Sequence, residues 1–434
     1  MQTAVSPGEF RRYAAPGVLG MIGISCYILA DTFFVAKGTG SLGLAALNIA
    51  IPAYNLMNGL GLMVGVGGAT HYSLCRAQGD AAEADRAFTH TLLLGLCIAL
   101  LFVLTGTFGV VPLSRLLGAN AETLDMTAVY LRLLLCFAPF FVTNNIMIAF
   151  VRNDGEPGRA MAGMIAGSLF NIVFDWVFIF PCGLGMFGAA LATGASPLVS
   201  LLVLSGHLRR PSRGFHLRRE RLRPRLLPRI CAPGLSSLVS ELASGITLLL
   251  INLVLLRIAG NTAVAAYGVI ANLALVESAI FTGLSTGVQP LISRSAAADR
   301  RRLLRWTVTT ALAISALMYV LVFVFASPIT AVFNSEHDPA LAACAVPGLR
   351  IYFAGFLAAC IAACINIIAA AYFSAAGQAS RGFIISLVRS IIAIPPVLFA
   401  LSALLGVTGV WLTFPAVEVL ACALSLLFIL RSPK

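Results

Sequence analysis

Charged side chains are scarce in this chain, and acidic ones are scarcer than basic ones. Only 11% of the 434 residues are charged, with 17 Asp and Glu against 29 Lys and Arg. A soluble globular domain carries about 25% charged residues, so the composition excludes an ordinary soluble protein. With 59% hydrophobic residues and a mean hydropathy of +0.95, the chain is predicted to be an integral membrane protein.

Several chemical signatures are also missing from the sequence. The ten cysteines show no paired spacing and the five histidines form no cluster, so we expect neither a disulfide framework nor a zinc centre. No nucleotide-binding loop of the form G-x-x-x-x-G-K-[ST] occurs, so the chain is not expected to use ATP by itself. No catalytic cluster is visible either, and we predict that the chain is not an enzyme and has no cofactor.

Long apolar runs take the place of the missing charges. They recur along the whole chain, and each can cross about 30 Å of hydrocarbon at about 1.5 Å per helical residue. We therefore predict an all-α integral membrane protein with about twelve transmembrane helices. The predicted spans cover approximately residues 14–36, 44–74, 88–111, 126–151, 159–181, 187–207, 229–257, 262–292, 304–326, 347–373, 382–405 and 407–430.

Basic residues are concentrated on one side of this predicted topology. The N-terminus, the even-numbered loops and the C-terminus carry 23 of the 29 Lys and Arg. Cytoplasmic segments of membrane proteins carry such an excess, so we expect a multi-pass protein of the cytoplasmic (inner) membrane with both termini in the cytoplasm. The formal net charge of +12 then reflects topology and contact with anionic membrane lipid, and nucleic acid is not an expected partner.

The two halves of the chain resemble each other at an offset of about 217–222 residues. Ala15-Pro16-Gly17 corresponds to Ala232-Pro233-Gly234, and Gly155 corresponds to Gly377. Six spans per half is an even number, so both halves enter from the same side, which predicts a pseudo-two-fold axis along the membrane normal. We predict an N-terminal six-helix bundle, a basic cytoplasmic linker and a C-terminal six-helix bundle, with a cavity between the bundles: 1–208, 209–228 and 229–434.

Two acids lie inside apolar runs, Asp31 in the first span and Asp175 in the fifth. A carboxylate at the centre of a membrane helix costs about 2.5–3.5 kcal/mol on insertion scales, so such groups commonly move protons, ions or charged substrates. Counting residues from the helix ends places both acids with Tyr27, Asn171 and Thr193 at a depth of roughly 18–25 Å from the cytoplasmic side. We predict that these five residues form an ion-coupling site for H⁺, or for Na⁺ held by all except Tyr27.

Other polar groups within the spans have competing interpretations. Asn171 and Thr193 could merely hold helices together while the acids pair with distant Arg. Glu241 in the seventh span and Glu277 in the eighth are predicted to line the cavity and attract cationic substrate, although each could instead hydrogen-bond to a neighbouring Ser or Thr.

One basic residue lies within a span, and an acid lies near it on the next helix. Arg389 in the eleventh span and Glu418 in the twelfth fall at depths of roughly 11 and 13 Å. Because burying either charge alone is costly, we predict that the two form a structural ion pair.

Five segments carry a resemblance to a known family. They are Ala30-Asp31-Thr32-x-Phe34-Val35, Ala45-Ala46-Leu47-Asn48-Ile49-Ala50-Ile51-Pro52, Gly61-Leu62-Met63-Val64-Gly65-Val66-Gly67-Gly68, Val151-Arg152-Asn153-Asp154-Gly155 and Gly287-Val288-Gln289-Pro290. Together with the twelve spans and the basic linker, they resemble the MATE (multidrug and toxic compound extrusion) family, in its prokaryotic branch named after a DNA-damage-inducible protein.

The resemblance implies particular functional residues. In that branch two Asp, an Asn and a Thr of the N-terminal bundle couple ions to export, and the pattern falls on Asp31, Asp175, Asn171 and Thr193, with Tyr27 nearby. A seventh-span Glu that is important in other branches falls on Glu241. The acid that this branch has in the tenth span is missing here, which favours coupling in the N-terminal bundle.

The resemblance also implies a function. It predicts a cation-coupled (H⁺ or Na⁺) multidrug efflux antiporter that exports amphipathic, often cationic compounds by alternating access, as a monomer without an ATPase subunit. One rival is a lipid-linked saccharide flippase of a related fold, which would need a strongly cationic cavity. An intramembrane enzyme would need a catalytic cluster, and a receptor or scaffold would need larger loops outside the membrane.

Overall fold

The computed structural model describes residues 5–211, 213–219, 223–333, 339–354 and 356–431, and this part of the chain is dominated by helices. The first half contains α1 (Pro7–Ala77), α2 (Ala81–Phe108), α3 (Val110–Leu116), α4 (Leu124–Cys136), α5 (Ala138–Asn153), α6 (Pro157–Ile179) and α7 (Gly185–Leu208). The second half contains α8 (Leu227–Cys231), α9 (Leu235–Arg294), α10 (Ala297–Val324), α11 (Ala326–Phe333), α12 (Pro339–Ala354), α13 (Phe356–Ala375), α14 (Ala379–Leu387), a π-helical turn (Val388–Ile392), α15 (Ile394–Leu405) and α16 (Val407–Leu430).

The two longest helices, α1 and α9, each contain two membrane spans joined at a single glycine. Gly40 has φ 71° and Gly260 has φ 70°, a backbone conformation that glycine adopts without steric cost. The two breaks correspond to each other under the sequence repeat. Each break therefore reverses the chain between neighbouring spans with no connecting loop.

The number of spans agrees with the sequence. Within the described residues, ten helices are long and apolar enough to cross a membrane, and α4 with α5 forms an eleventh span bent by 49°. Pro139 in the first turn of α5 accounts for the bend, because proline removes a helical hydrogen bond and clashes with the preceding turn. The remaining predicted span coincides with α12 and α13, which flank residue 355. The prediction of an all-α membrane protein is confirmed.

The two bundles approach each other closely near the side of the membrane that carries the termini, called here the basic side. Gly17 of α1 lies so near Gly283 and Gly287 of α9 that a Cβ atom would collide with their backbone. Gly67, in the second half of α1, lies equally near the carbonyl of Ile230 in α8. Because only hydrogen atoms fit in this seam, the helix backbones pack directly and close the interface on the basic side.

The segment after α7 is docked on the first bundle. Phe215 is buried, and it packs against the rings of Tyr72 and His207. Asp154, in the turn between α5 and α6, accepts hydrogen bonds from the Tyr72 hydroxyl at 2.5 Å, His207 Nε2 at 2.7 Å and the Gly214 backbone N–H at 2.8 Å. The next helical turn begins at Pro224, inside the segment predicted as linker. The boundaries 1–208, 209–228 and 229–434 stay a prediction.

Candidate functional site

Two carboxyl groups meet inside the first bundle. Asp31 on α1 is 7% exposed and Asp175 on α6 is fully buried, and the two groups interact directly. Asp31 Oδ1 and both oxygens of Asp175 are buried without a hydrogen-bond partner. Like charges repel strongly at low dielectric, so the pair needs a proton or a cation between its oxygens.

An amide and a hydroxyl lie beside the acids. Asn171 is one helical turn from Asp175 on α6 and is fully buried, and its Nδ2 donates to Thr193 Oγ1 on α7 at 3.2 Å. Asn171 Oδ1 is left without a partner. Asp31, Asp175 and Asn171 therefore contribute buried oxygen atoms that accept no hydrogen bond. Such oxygen atoms are suitable ligands for a proton or for a hard cation such as Na⁺.

The two acids have no basic partner in the part of the chain that the structure describes. Among the described residues, no Lys, Arg or His forms a salt bridge with Asp31 or Asp175. Within the same part of the chain, no group of three or more His, Cys, Asp or Glu side chains could hold a metal ion. The alternative in which distant Arg side chains pair with these acids thus has no support in the geometry.

A pair of tyrosines leads from the acids towards the second bundle. Tyr27, one turn before Asp31 on α1, lies 3.1 Å from the hydroxyl of Tyr54 in the second half of the same helix. Tyr54 in turn lies within electrostatic range of both Asp31 and Glu241. The two hydroxyl groups therefore connect the buried acids to the interface between the bundles.

Glu241 of the second bundle faces the first bundle. Glu241 is half-buried, and its carboxyl group interacts with Asn58. Its side chain packs against Gly59 of α1, where an added Cβ atom would lie only 3.1 Å from the Glu241 Cβ. Asn58 Oδ1 also accepts a hydrogen bond from Asn145 Nδ2 of α5 at 2.9 Å. Glu241 thus lies near polar side chains of the first bundle at the interface between the bundles.

Polar side chains also lie buried within the second bundle, among them Glu277, Asn366 and Glu418. Arg389, in the π-helical turn, donates from Nε to Glu418 Oε1 at 2.6 Å, and Asn366 Nδ2 donates to Glu418 Oε2 at 2.8 Å. Glu277 is only 2% exposed and lies near Tyr352. Its place in the substrate cavity stays a prediction.

Comparison with known proteins identifies the family. The sequence profile described as MatE matches residues 16–177 and 237–399, which is most of the chain. The chain belongs to the MATE family of efflux transporters. As a transporter it is not an enzyme.

Named relatives of this MATE transporter occur in staphylococci. Multidrug export protein MepA of Staphylococcus saprophyticus is 28% identical over 422 residues, and MepA of Staphylococcus aureus strain NCTC 8325 is 27% identical over 427 residues. Each comparison covers 96% of this chain and 92% of the relative.

Solved structures share the fold of this MATE transporter. An outward-facing multidrug resistance MATE family transporter of the MOP superfamily has a TM-score of 0.89 at 24% identity, over 96% of this chain and 94% of that one. The MATE multidrug transporter DinF-BH, solved as a complex, has a TM-score of 0.89 at 24% identity, over 100% and 97%. A MOP superfamily transporter from Pyrococcus furiosus has a TM-score of 0.88 at 23% identity, over 96% and 94%.

Two residues of the MATE chain stand at these polar clusters although the sequence did not single them out. Tyr130 of α4 is 4% exposed and lies beside Thr193 and both acids. The count of helical rise that aligned the other residues would also have placed Tyr130 in their layer. Asn366 of α13 is fully buried. The sequence has no acid within one helical turn of Asn366, whereas Asp175 lies one turn from Asn171, so Asn366 offered no comparable signal.

Proposed function

We propose that this MATE transporter is a multidrug efflux antiporter driven by the inward movement of H⁺ or Na⁺. Multidrug export is supported by the relatives, which are named multidrug export proteins. Cation coupling is supported by one observation above all others: Asp31 and Asp175 meet in a buried place, without a basic partner in the described chain.

The acid pair offers a physical route from cation binding to helix movement. When the pair holds a proton or Na⁺, α1 and α6 can pack closely; when it is empty, two carboxylates repel each other at low dielectric. A ligand shifts a conformational equilibrium only through different affinities for the two states. Because Gly17 of the seam lies on the same half of α1 as Asp31, a change in α1 packing reaches the closed interface directly.

The substrate is proposed to bind between the bundles. Glu241 is half-buried at this interface and would attract an amphipathic cation, with Tyr27 and Tyr54 supplying aromatic surface beside it. Occupancy of the acid pair would lower substrate affinity in the outward-facing state, and its emptying would restore that affinity. The closed seam on the basic side supports assigning the structure to the outward-facing state.

Transport in proteoliposomes tests this proposal. A fluorescent cationic dye is followed under an imposed pH or Na⁺ gradient, with Asp31→Asn and Asp175→Asn compared with the parent protein. Both variants are expected to lose gradient-driven export, because an amide cannot take up and release the cation. Asp125→Asn, an exposed acid at the start of α4, is the matched control and should behave like the parent. Full gradient-driven export by both site variants would place the coupling elsewhere.

The rival flippase function makes the opposite demand on the cavity. A lipid-linked pyrophosphate needs cationic side chains. Glu241 at the interface is an acid, and Arg294, a cation of the second bundle at the interface, is already paired with Glu9 of the first bundle. Translocation of a lipid-linked saccharide by the reconstituted protein, without any dye export, would favour the flippase.

The orientation and assembly also belong to this proposal. We place both termini in the cytoplasm and the chain in the inner membrane, because the basic residues of the sequence lie on the side of the termini. We also propose that the protein is a monomer. Reporter fusions at the C-terminus test the orientation, and the mass of the detergent-solubilised protein by light scattering tests the monomer.

A further inference from the structure

Two grooves occupy corresponding places in the two bundles. One, of about 550 Å³, lies between α2, α5, α7 and the segment that follows α7. The other, of about 530 Å³, lies between α10, α13 and α16. Under the sequence repeat these are the same three spans of each half. Both grooves lie near the basic side, because Arg213 lines the first and both Arg301 and Arg305 line the second.

The second groove combines apolar walls with a basic mouth. Leu304, Ile365 and Leu426 are among its walls, and Leu426 and Leu430 are 44% and 82% exposed, so the groove opens on the surface that faces the membrane. Arg301 and Arg305 are exposed and lie one helical turn apart on α10, on the same face of the helix. Apolar walls below two cations match the acyl chain and the anionic headgroup of a phospholipid.

Two neighbouring arginines on α10 lie outside the groove. Arg300 Nε donates to the carbonyl oxygens of Ile292 at 3.0 Å and Ser295 at 2.8 Å, which ties α9 to α10. Arg302 lies over the ring of Trp306 at 4.5 Å. The pair that lines the groove is therefore a distinct part of a basic cluster, and Arg302 offers a control of the same charge on the same turn.

The mouth of the groove in the first bundle is different. Arg213 donates to the backbone carbonyl of Leu208, and His216 Nδ1 lies 3.4 Å from Asp85 Oδ1. His216 of this groove therefore lies beside an acid of the protein. Two arginines one helical turn apart line the second groove, and this higher density of fixed positive charge favours the second groove as the place where an external anion binds.

We propose that the groove between α10, α13 and α16 binds an anionic phospholipid of the membrane leaflet on the basic side. The phosphate lies between Arg301 and Arg305, and an acyl chain lies along Leu304 and Ile365. Basic pockets between membrane helices on the cytoplasmic side are known to hold anionic headgroups, and each arginine near the surface strengthens binding by about fivefold. The site is independent of the acid pair and of the proposed transport function.

Native mass spectrometry of the purified full-length protein tests this site. The protein in mild detergent is titrated with phosphatidylglycerol or with phosphatidylcholine of the same acyl chains. The parent is expected to prefer phosphatidylglycerol, and the double variant Arg301→Gln/Arg305→Gln is expected to bind it about 30-fold more weakly, with no change for phosphatidylcholine. Arg302→Gln should bind both lipids like the parent.

Three outcomes would overturn the proposal. The first is an unchanged affinity for phosphatidylglycerol in the double variant. The second is an equal loss in Arg302→Gln, which would indicate a general effect of net charge. The third is displacement of phosphatidylglycerol by an equal concentration of inorganic phosphate, because a site for the phosphate alone does not use the apolar groove. If the double variant does not fold, Arg305→Gln alone should weaken binding about fivefold, and an unchanged affinity there would equally reject the site.

Discussion

The two bundles hold buried polar clusters that differ in charge balance. In the first, Asp31 and Asp175 meet without a basic partner in the described chain. In the second, Glu418 is matched by Arg389 at 2.6 Å and receives a further hydrogen bond from Asn366. A balanced cluster is complete as it stands and stabilises its bundle. An unbalanced cluster can bind a mobile cation, so in the proposed function one bundle has a structural centre and the other has the centre that responds to the cation.

The largest effect on the difference between the two clusters is expected from Asp175→Asn. Gradient-driven dye export should fall to the level of protein-free liposomes, because the cation loses its site. The thermal unfolding temperature in detergent should not fall, because the substitution removes repulsion between two acids. A variant that unfolds early but still couples transport to the gradient would reverse the roles assigned to the two clusters.

The converse change is Glu418→Gln in the second bundle. It leaves the Arg389 guanidinium, with its side chain 15% exposed, without a counter-charge, and breaking a buried pair in this way costs about 3–5 kcal/mol of unfolding free energy. Denaturant unfolding in detergent measures the loss. The double variant Arg389→Gln/Glu418→Gln should be more stable than Glu418→Gln alone. If it is not, the ion pair is not what stabilises this part of the bundle.

A smaller effect is expected from Tyr130→Phe. Removing a hydroxyl beside Thr193 and the acids costs about 0.5–1.5 kcal/mol of interaction with the bound cation, so the H⁺ or Na⁺ concentration for half-maximal transport should rise about twofold to tenfold. Tyr352→Phe is the matched control, since Tyr352 stacks on Phe414 in the second bundle. Equal shifts in both variants would show that the effect does not arise at the acid pair.

The smallest effect concerns the docked segment after α7. Burial of Asp154 opposes its ionisation, but hydrogen bonds from His207, Gly214 and Tyr72 outweigh it and lower the pKa of Asp154. Because its folded-state pKa lies below the unfolded value of 3.8, Asp154 stabilises the docked segment at neutral pH. This stabilisation is lost as the pH falls below that value.

Limited trypsin digestion measures the release of this segment. Cleavage at Arg213 should be slow at neutral pH in the parent and faster in Asp154→Asn, which cannot supply a carboxylate to His207. Equal cleavage rates would show that Asp154 does not hold the segment in place.

The spans were predictable because hydropathy and helical rise are local properties of the sequence. The same count placed Asp31 and Asp175 in one layer, and the structure brings them together. The orientation of Glu277 could not be predicted in this way, because depth along a helix does not say which neighbour a side chain faces. The burial of Phe215 also could not be predicted, because it depends on rings from several helices. The part of the predicted linker around Phe215 therefore packs as part of the first bundle.

In the proposed orientation the single-residue breaks at Gly40 and Gly260 lie on the outer face of the membrane, and this has a consequence for recognition from outside the cell. Two of the hairpins on that face have no loop that an antibody could bind or a protease could cleave. An inhibitor that acts from outside would therefore have to be a small, amphipathic molecule that binds between the helices. Such an inhibitor would share the chemistry of the compounds that the transporter is proposed to expel.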